Sequence, residues 1–137
     1  DRRYKIFLSY ISLLVIRGVD FLSNDSILKA KSMNFAKRIV HLYQYLSQEK
    51  REFVMSKQVL RSGTSIGANI AEAIYGSSRK DFVAKLYIAE KEAAETLYWL
   101  ELLNGCNYIP DNLYRSLYRD CRELLSMLAA SIKSCTN

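Results

Sequence analysis

The chain is 137 residues long, half of them hydrophobic and a quarter charged, with a formal net charge of +6. That length supports one domain with a real core, and one proline with five glycines supply too little punctuation for many short strands. Three widely spaced cysteines and a single histidine exclude a disulfide framework, a CxxC metal site and a His-based metal cluster.

Taken in chain order, the first stretch is DRRYKIFLSYISLLVIRGVDFLSND, residues 1–25. Its apolar run IFLSYISLLVI covers eleven residues, where about 20 are needed to cross a bilayer. The run has the length of a signal-peptide core, but no small-x-small cleavage site follows it. It reads as an N-terminal extension, an extra helix or strand packed on a neighbour, ahead of a domain over 26–137.

Four helical segments are expected in that domain. The first spans about Ser26 to Ser47, with Leu28, Phe35, Ile39, Leu42 and Leu46 in one apolar stripe. The polar QEKRE, 48–52, reads as a turn. The second spans about Arg51 to Tyr75, and Val59, Gly63, Ile66, Ile70 and Ile74 keep helical phase straight through RSGTSIGANIAEA, 61–73. A helical glycine costs about 1 kcal/mol relative to alanine, so a compensating contact is required. Gly63, Gly67 and Ala71 recur every four residues and make a groove without side chains, into which a neighbouring helix can settle. Asn69 and Glu72 lie close to that thin edge, where they would fix register by hydrogen bonding or line a subunit interface. A phosphate-binding loop does not fit: the glycines are one residue too close for GxxxxGK, and Ala68 stands where lysine is needed.

GSSRKDF, 76–82, closes the second helix and starts the third, with Gly76 after the helix end, Ser77 or Ser78 as N-cap and Asp81 in the first turn. The third helix runs from about Arg79 to Asn104 on a stripe of Phe82, Leu86, Ala89, Ala93, Leu97, Leu100 and Leu103. Its Glu90, Glu92, Glu95 and Glu101 read as a solvated face paired with Lys85 and Lys91. Gly105 is the expected stop. The fourth helix, about Pro110 to Ser134, aligns Leu113, Leu117, Cys121, Leu124, Leu128 and Ile132, with Arg115, Arg119 and Arg122 on its flank. Short links imply an all-α, antiparallel up-down-up-down four-helix bundle.

Tyr43, Tyr45, Tyr87, Tyr98, Trp99, Tyr114 and Tyr118 include rings outside these stripes. Aromatic surplus marks interface surface, so a homo-oligomer is expected. Charge is uneven: residues 26–78 hold eight Lys/Arg against three acids, whereas residues 79–137 hold eight against eight. A basic half suits an anionic partner, RNA or DNA first. Lys37, Arg38, Lys57, Arg61, Arg79 and Lys80 are the candidate phosphate contacts.

Catalytic groups are sparse. His41, beside Leu42, reads as a half-buried structural histidine. Arg38-Ile-Val-His41 only loosely resembles the spaced Arg/His acid–base unit of some helical RNases, with too few residues between. No enzyme activity, cofactor, metal or membrane role is expected, and free cysteines suit a reducing cytoplasm.

NFAKRIVHLYQYL (34–46), EFVMSKQVLRSGTSIGANIAEA (52–73) and KDFVAKLYIAEKEAAETLYWLELL with NYI (80–109) together resemble the "four helix bundle protein" family. That family includes proteins encoded by intervening sequences within bacterial 23S ribosomal RNA genes. The resemblance covers about Ser26 to Ser134, with Gly63, Ile66, Gly67, Asn69, Ile70, Ala71 and Glu72 at its centre. It implies a ring-like homopentamer, similar in fold to the accessory variability protein of diversity-generating retroelements, which partners a reverse transcriptase and nucleic acid. It carries over no catalytic residue. Two further readings stay open: a structural or protein-binding oligomer without nucleic acid, and an RNA-cleaving bundle.

Overall fold

The computed structural model describes residues 2–136, with the side chains of residues 2, 5 and 25–136. It contains four helices: α1 (Arg2–Gln48), α2 (Met55–Ile74), α3 (Arg79–Gly105) and α4 (Asp111–Thr136). The first helix begins at Arg2 rather than near Ser26. No proline or glycine occurs between Gly18 and Gly63, so nothing breaks the backbone at the expected boundary between extension and domain. At 1.5 Å per residue α1 is about 70 Å long, more than twice the length of α2. How the extension packs lies outside the described side chains.

Consecutive helices pack on one another and α4 closes against α1, and the contacts give the direction of each pair. On α2, Gly63 lies against Ile39 and Gly67 against Ser32 of α1. Arg61 and Glu72 of α2 pair with Glu95 and Lys85 of α3. Cys121 Sγ of α4 donates to the Ala93 carbonyl of α3 at 3.4 Å. Lys31 and Arg38 of α1 reach Glu123 and Asp120 of α4. Residue numbers rise on one partner as they fall on the other in the α1–α2, α2–α3 and α1–α4 pairs, so these neighbours run antiparallel and the bundle goes up, down, up, down.

The apolar stripes meet in one core of Phe35, Ile39, Leu46, Ile66, Ile70, Leu86, Leu100, Leu117, Leu124 and Leu128, with the other buried members of each stripe around them. Ile74, expected at the end of the α2 stripe, is instead exposed, because the helix leaves the bundle there and turns toward α3. Four small polar side chains, Ser32, Ser56, Ser62 and Thr96, are also buried. Small residues let the helices approach closely, and their hydroxyls are satisfied. Thr96 Oγ1 sits 2.9 Å from Ser62 Oγ across the α2–α3 seam and 2.7 Å from the Glu92 carbonyl.

Gly76 follows the end of α2 and Gly105 closes α3, as expected; the described glycines all have negative φ, and the left-handed positions are Arg51 (φ 54°) and Asn107 (φ 64°). Asparagine tolerates that region, whereas for arginine it costs about 1–2 kcal/mol. Glu52 offsets the cost. Its carboxylate accepts from the backbone N–H groups of Val54 and Met55 at 3.0 and 2.9 Å and of Ser56 at 2.6 Å. It thereby satisfies the open donors at the start of α2, and α2 begins at Met55 instead of Arg51. At the start of α3, Ser78 accepts from the Asp81 N–H at 3.1 Å, the expected N-cap.

Candidate nucleic-acid interface

The six cations singled out from sequence fall into two groups. Arg38 and Arg61 are engaged within the chain. Arg38 donates to Asp120 Oδ2 at 2.6 Å and to Ser116 Oγ at 2.9 Å, both on α4. Arg61 grips two carboxylates of α3, donating to Glu95 Oε1 at 2.5 Å and Glu92 Oε2 at 3.2 Å. The hydrogen bond to Glu95 raises the Arg61 pKa, and the same bond pulls the Glu95 carboxyl below its usual range. These residues bridge helices, and their charge is cancelled locally.

Lys37, Lys57, Arg79 and Lys80 are exposed and form no ion pair with a described residue. They do not form one patch. Lys57 lies in the first turn of α2, whereas Arg79 and Lys80 open α3 beyond the far end of α2, about 30 Å away along the bundle. Arg79 borders a cleft of about 470 Å³ shared by the ends of α2, α3 and α4, whose lining includes Ile74, Phe82 and Cys135. Lys37 is exposed in the C-terminal half of α1.

The packing motif lies inside the bundle. A Cβ on Gly63 would come within 2.8 Å of both Ile39 Cγ1 and Cγ2, and one on Gly67 within 3.3 Å of Ser32 Oγ. The missing side chains therefore admit α1. Ile66 and Ile70 are fully buried and Ala71 half-buried. Asn69 Nδ2 donates to the Ser65 carbonyl of its own helix at 2.8 Å, and Glu72 pairs with Lys85 at 2.9 Å. Both side chains thus act locally or between α2 and α3.

Two expectations about side chains are corrected. His41 is exposed, not half-buried: one residue along a helix is a rotation of about 100°, which carries it off the Leu42 stripe. Of the α3 acids, Glu92 and Glu95 pair across the seam with Arg61 of α2, while Lys85 turns to Glu72 of α2. Among the described residues no group of His, Cys, Asp and Glu is placed to hold a metal ion, and no helix is long and apolar enough to cross a membrane. Of the aromatics, Tyr45, Trp99, Tyr114 and Tyr118 pack against the core, while Tyr75, Tyr87 and Tyr98 are exposed.

The outer face of α4 carries four further cations, Arg115, Arg119, Arg122 and Lys133, all exposed. Their spacing was legible, but the neutral balance of residues 79–137 concealed it.

The fold defines the class: a small, all-α, antiparallel four-helix bundle. A family model for the 23S rRNA-intervening sequence protein matches residues 24–130. A solved structure is similar at 55% identity with a TM-score of 0.79, covering 80% of this chain and 98% of the other; it is a protein of unknown function from the S23 ribosomal protein family of Bacteroides thetaiotaomicron. None of the curated proteins matches the sequence. The chain belongs to the 23S rRNA-intervening sequence protein family.

Proposed function

We propose that this protein is a non-enzymatic, self-associating scaffold that binds RNA or DNA through backbone phosphates. One observation carries the reading. After the ion pairs between helices have formed, the positive excess of the chain is left on the surface, where Lys37, Lys57, Arg79 and Lys80 have no carboxylate partner among the described residues. Unpaired, solvated cations release condensed counterions when they meet a phosphate backbone, which favours binding without reading sequence. A ribonucleoprotein or a reverse transcriptase is the kind of assembly such a scaffold would serve. Its three free cysteines, Cys106, Cys121 and Cys135, suit a reducing cytoplasm.

Exposed apolar surface supports self-association. Tyr87, Ile88 and Tyr98 stand out from α3, with Tyr98 57% exposed, while Met33 and Val40 stand out from α1. Aromatic rings and methionine are enriched where subunits meet, and a pentameric ring is the assembly proposed.

The test is fluorescence anisotropy with random-sequence RNA and DNA as salt rises from about 50 to about 200 mM, where four phosphate contacts lose about 10²-fold in affinity and six or more lose about 10³-fold. Affinity that hardly changes over that range overturns nucleic-acid binding. Light scattering on the same sample tests assembly, and a monomer at every concentration overturns it.

A further inference from the structure

The fold moves the unpaired positive charge away from where the sequence puts it. The basic half of the chain uses Lys31, Arg38 and Arg61 to neutralise Glu123, Asp120, Glu92 and Glu95, all from the half that is neutral in sequence. The acids of α4 are thereby turned toward α1. Its cations are left over: Arg115, Arg122 and Lys133 form no ion pair with a described residue, and Arg119 has only a long 3.9 Å contact from Nε to Asp120. The remaining acid of α4, Asp111, is held by Asn104 Nδ2 at 2.9 Å in the first turn. Glu90 and Glu101 of the adjacent α3 make no ion pair with these cations.

Spacing then aligns the row. Steps of four, seven and eighteen residues from Arg115 keep all four cations within about 60° of one helix face. The row runs about 27 Å at 1.5 Å per residue, the span of about eight phosphates of one strand. Between the charges the surface is small, with Ser126, Ala129 and Ala130 exposed, so a backbone can approach closely. The rings of this helix, Tyr114 and Tyr118, are partly buried against the core and lie tilted on each other, so they offer unpaired bases less of a stacking face than free rings would.

We infer that the outer face of α4, through Arg115, Arg119, Arg122 and Lys133, is a docking ridge for the phosphate backbone of a nucleic-acid duplex. This rests on the nucleic-acid reading above and locates it on α4.

The experiment measures binding of the full chain to a short random-sequence duplex, as RNA and as DNA, and to a single strand of equal length. Arg115→Gln/Arg119→Gln/Arg122→Gln is expected to weaken duplex binding at least about tenfold and to lower the slope of log K against log salt by about 3, one per lost phosphate contact. Lys37→Gln/Lys57→Gln/Lys80→Gln, which removes other unpaired cations, should weaken duplex binding less than the α4 variant does. Arg115→Lys/Arg119→Lys/Arg122→Lys shares any loss of packing but keeps the charge, and retained binding shows that charge is what matters. An unchanged α4 glutamine variant, or loss confined to the Lys37/Lys57/Lys80 set, overturns the ridge and leaves nucleic-acid binding standing. Loss in the lysine variant overturns simple phosphate contact, and preference for the single strand overturns the duplex. If the unaltered chain binds none of the probes, both the ridge and the proposed function fall.

Discussion

Replacing Gly63 by alanine tests how α1 and α2 come together. Helix propensity alone favours the change by about 1 kcal/mol. Packing opposes it, because the new methyl would meet Cγ1 and Cγ2 of Ile39 at 2.8 Å and Cδ1 at 3.2 Å, well inside the 3.5–4.0 Å optimum for carbon pairs. Both branches of the isoleucine are involved, so a rotamer change cannot relieve one clash without keeping the other. Ile39 is also fully buried, at 0% exposure. Overpacking of this kind costs about 1–3 kcal/mol, which leaves Gly63→Ala destabilising by about 1 kcal/mol on balance.

Gly67→Ala should go the other way. Its nearest neighbour is the Ser32 hydroxyl at 3.3 Å, with the Ser32 Cβ and carbonyl at 3.5 Å. A hydroxyl can swing aside, so the helix gain survives and the variant is stabilised by up to about 1 kcal/mol. In an Ile39→Ala background the obstruction at Gly63 is gone, and Gly63→Ala should become stabilising by about 1 kcal/mol, a coupling of about 2 kcal/mol. Urea unfolding followed by circular dichroism, at one protein concentration throughout, reads all five proteins. Gly63→Ala that stabilises the unaltered chain, or that has the same effect in both backgrounds, refutes the close-approach argument.

Glu52 gives a pH dependence. Burial raises its pKa, but the three backbone donors of α2 outweigh that, and the net shift is downward from 4.5. The stability it adds is therefore complete above about 4.5 and is lost as pH falls through the lower folded value. Glu52→Gln should cost about 1 kcal/mol near neutral pH, and its deficit should shrink on acidification; a deficit constant across that window counts against the charged cap. Thr96→Val should cost about 1–2 kcal/mol by leaving Ser62 without its cross-helix partner, with part recovered in Ser62→Ala/Thr96→Val, as read by denaturant midpoints. Burial pushes the Cys121 thiol up to about 12, so alkylation of the native protein should label exposed Cys106 and spare Cys121 until unfolding. Mass spectrometry that finds Cys121 modified at the Cys106 rate refutes its place in the core.

Much of the bundle was legible because a helix writes its buried face into the sequence every three or four residues. The stripe from Leu28 to Leu46 and that from Leu117 to Ile132 are both buried throughout, and Gly63 and Gly67 advertised a thin edge before any neighbour was known. The turns were less legible. Gly76 and Gly105 stand at the ends of α2 and α3 as their type suggests, but the left-handed corners fall to Arg51 and Asn107, because the capping carboxylate of Glu52 and the Asn104 bond to the Ile109 carbonyl at 3.2 Å hold those corners. His41 was misplaced because adjacency to Leu42 in the chain is not adjacency on a helix surface.

The sequence by itself determined four helices, the face that each buries and the small residues that let α1 approach α2. Only the tertiary structure decided where the charge would lie. Ion pairing depends on which side chains meet across a seam, at separations of 31 to 92 residues for pairs such as Arg61–Glu92 and Lys31–Glu123, and that register is set by core packing. Once it is set, cations of the basic half meet acids of the neutral half, and the arginines of α4 remain facing water.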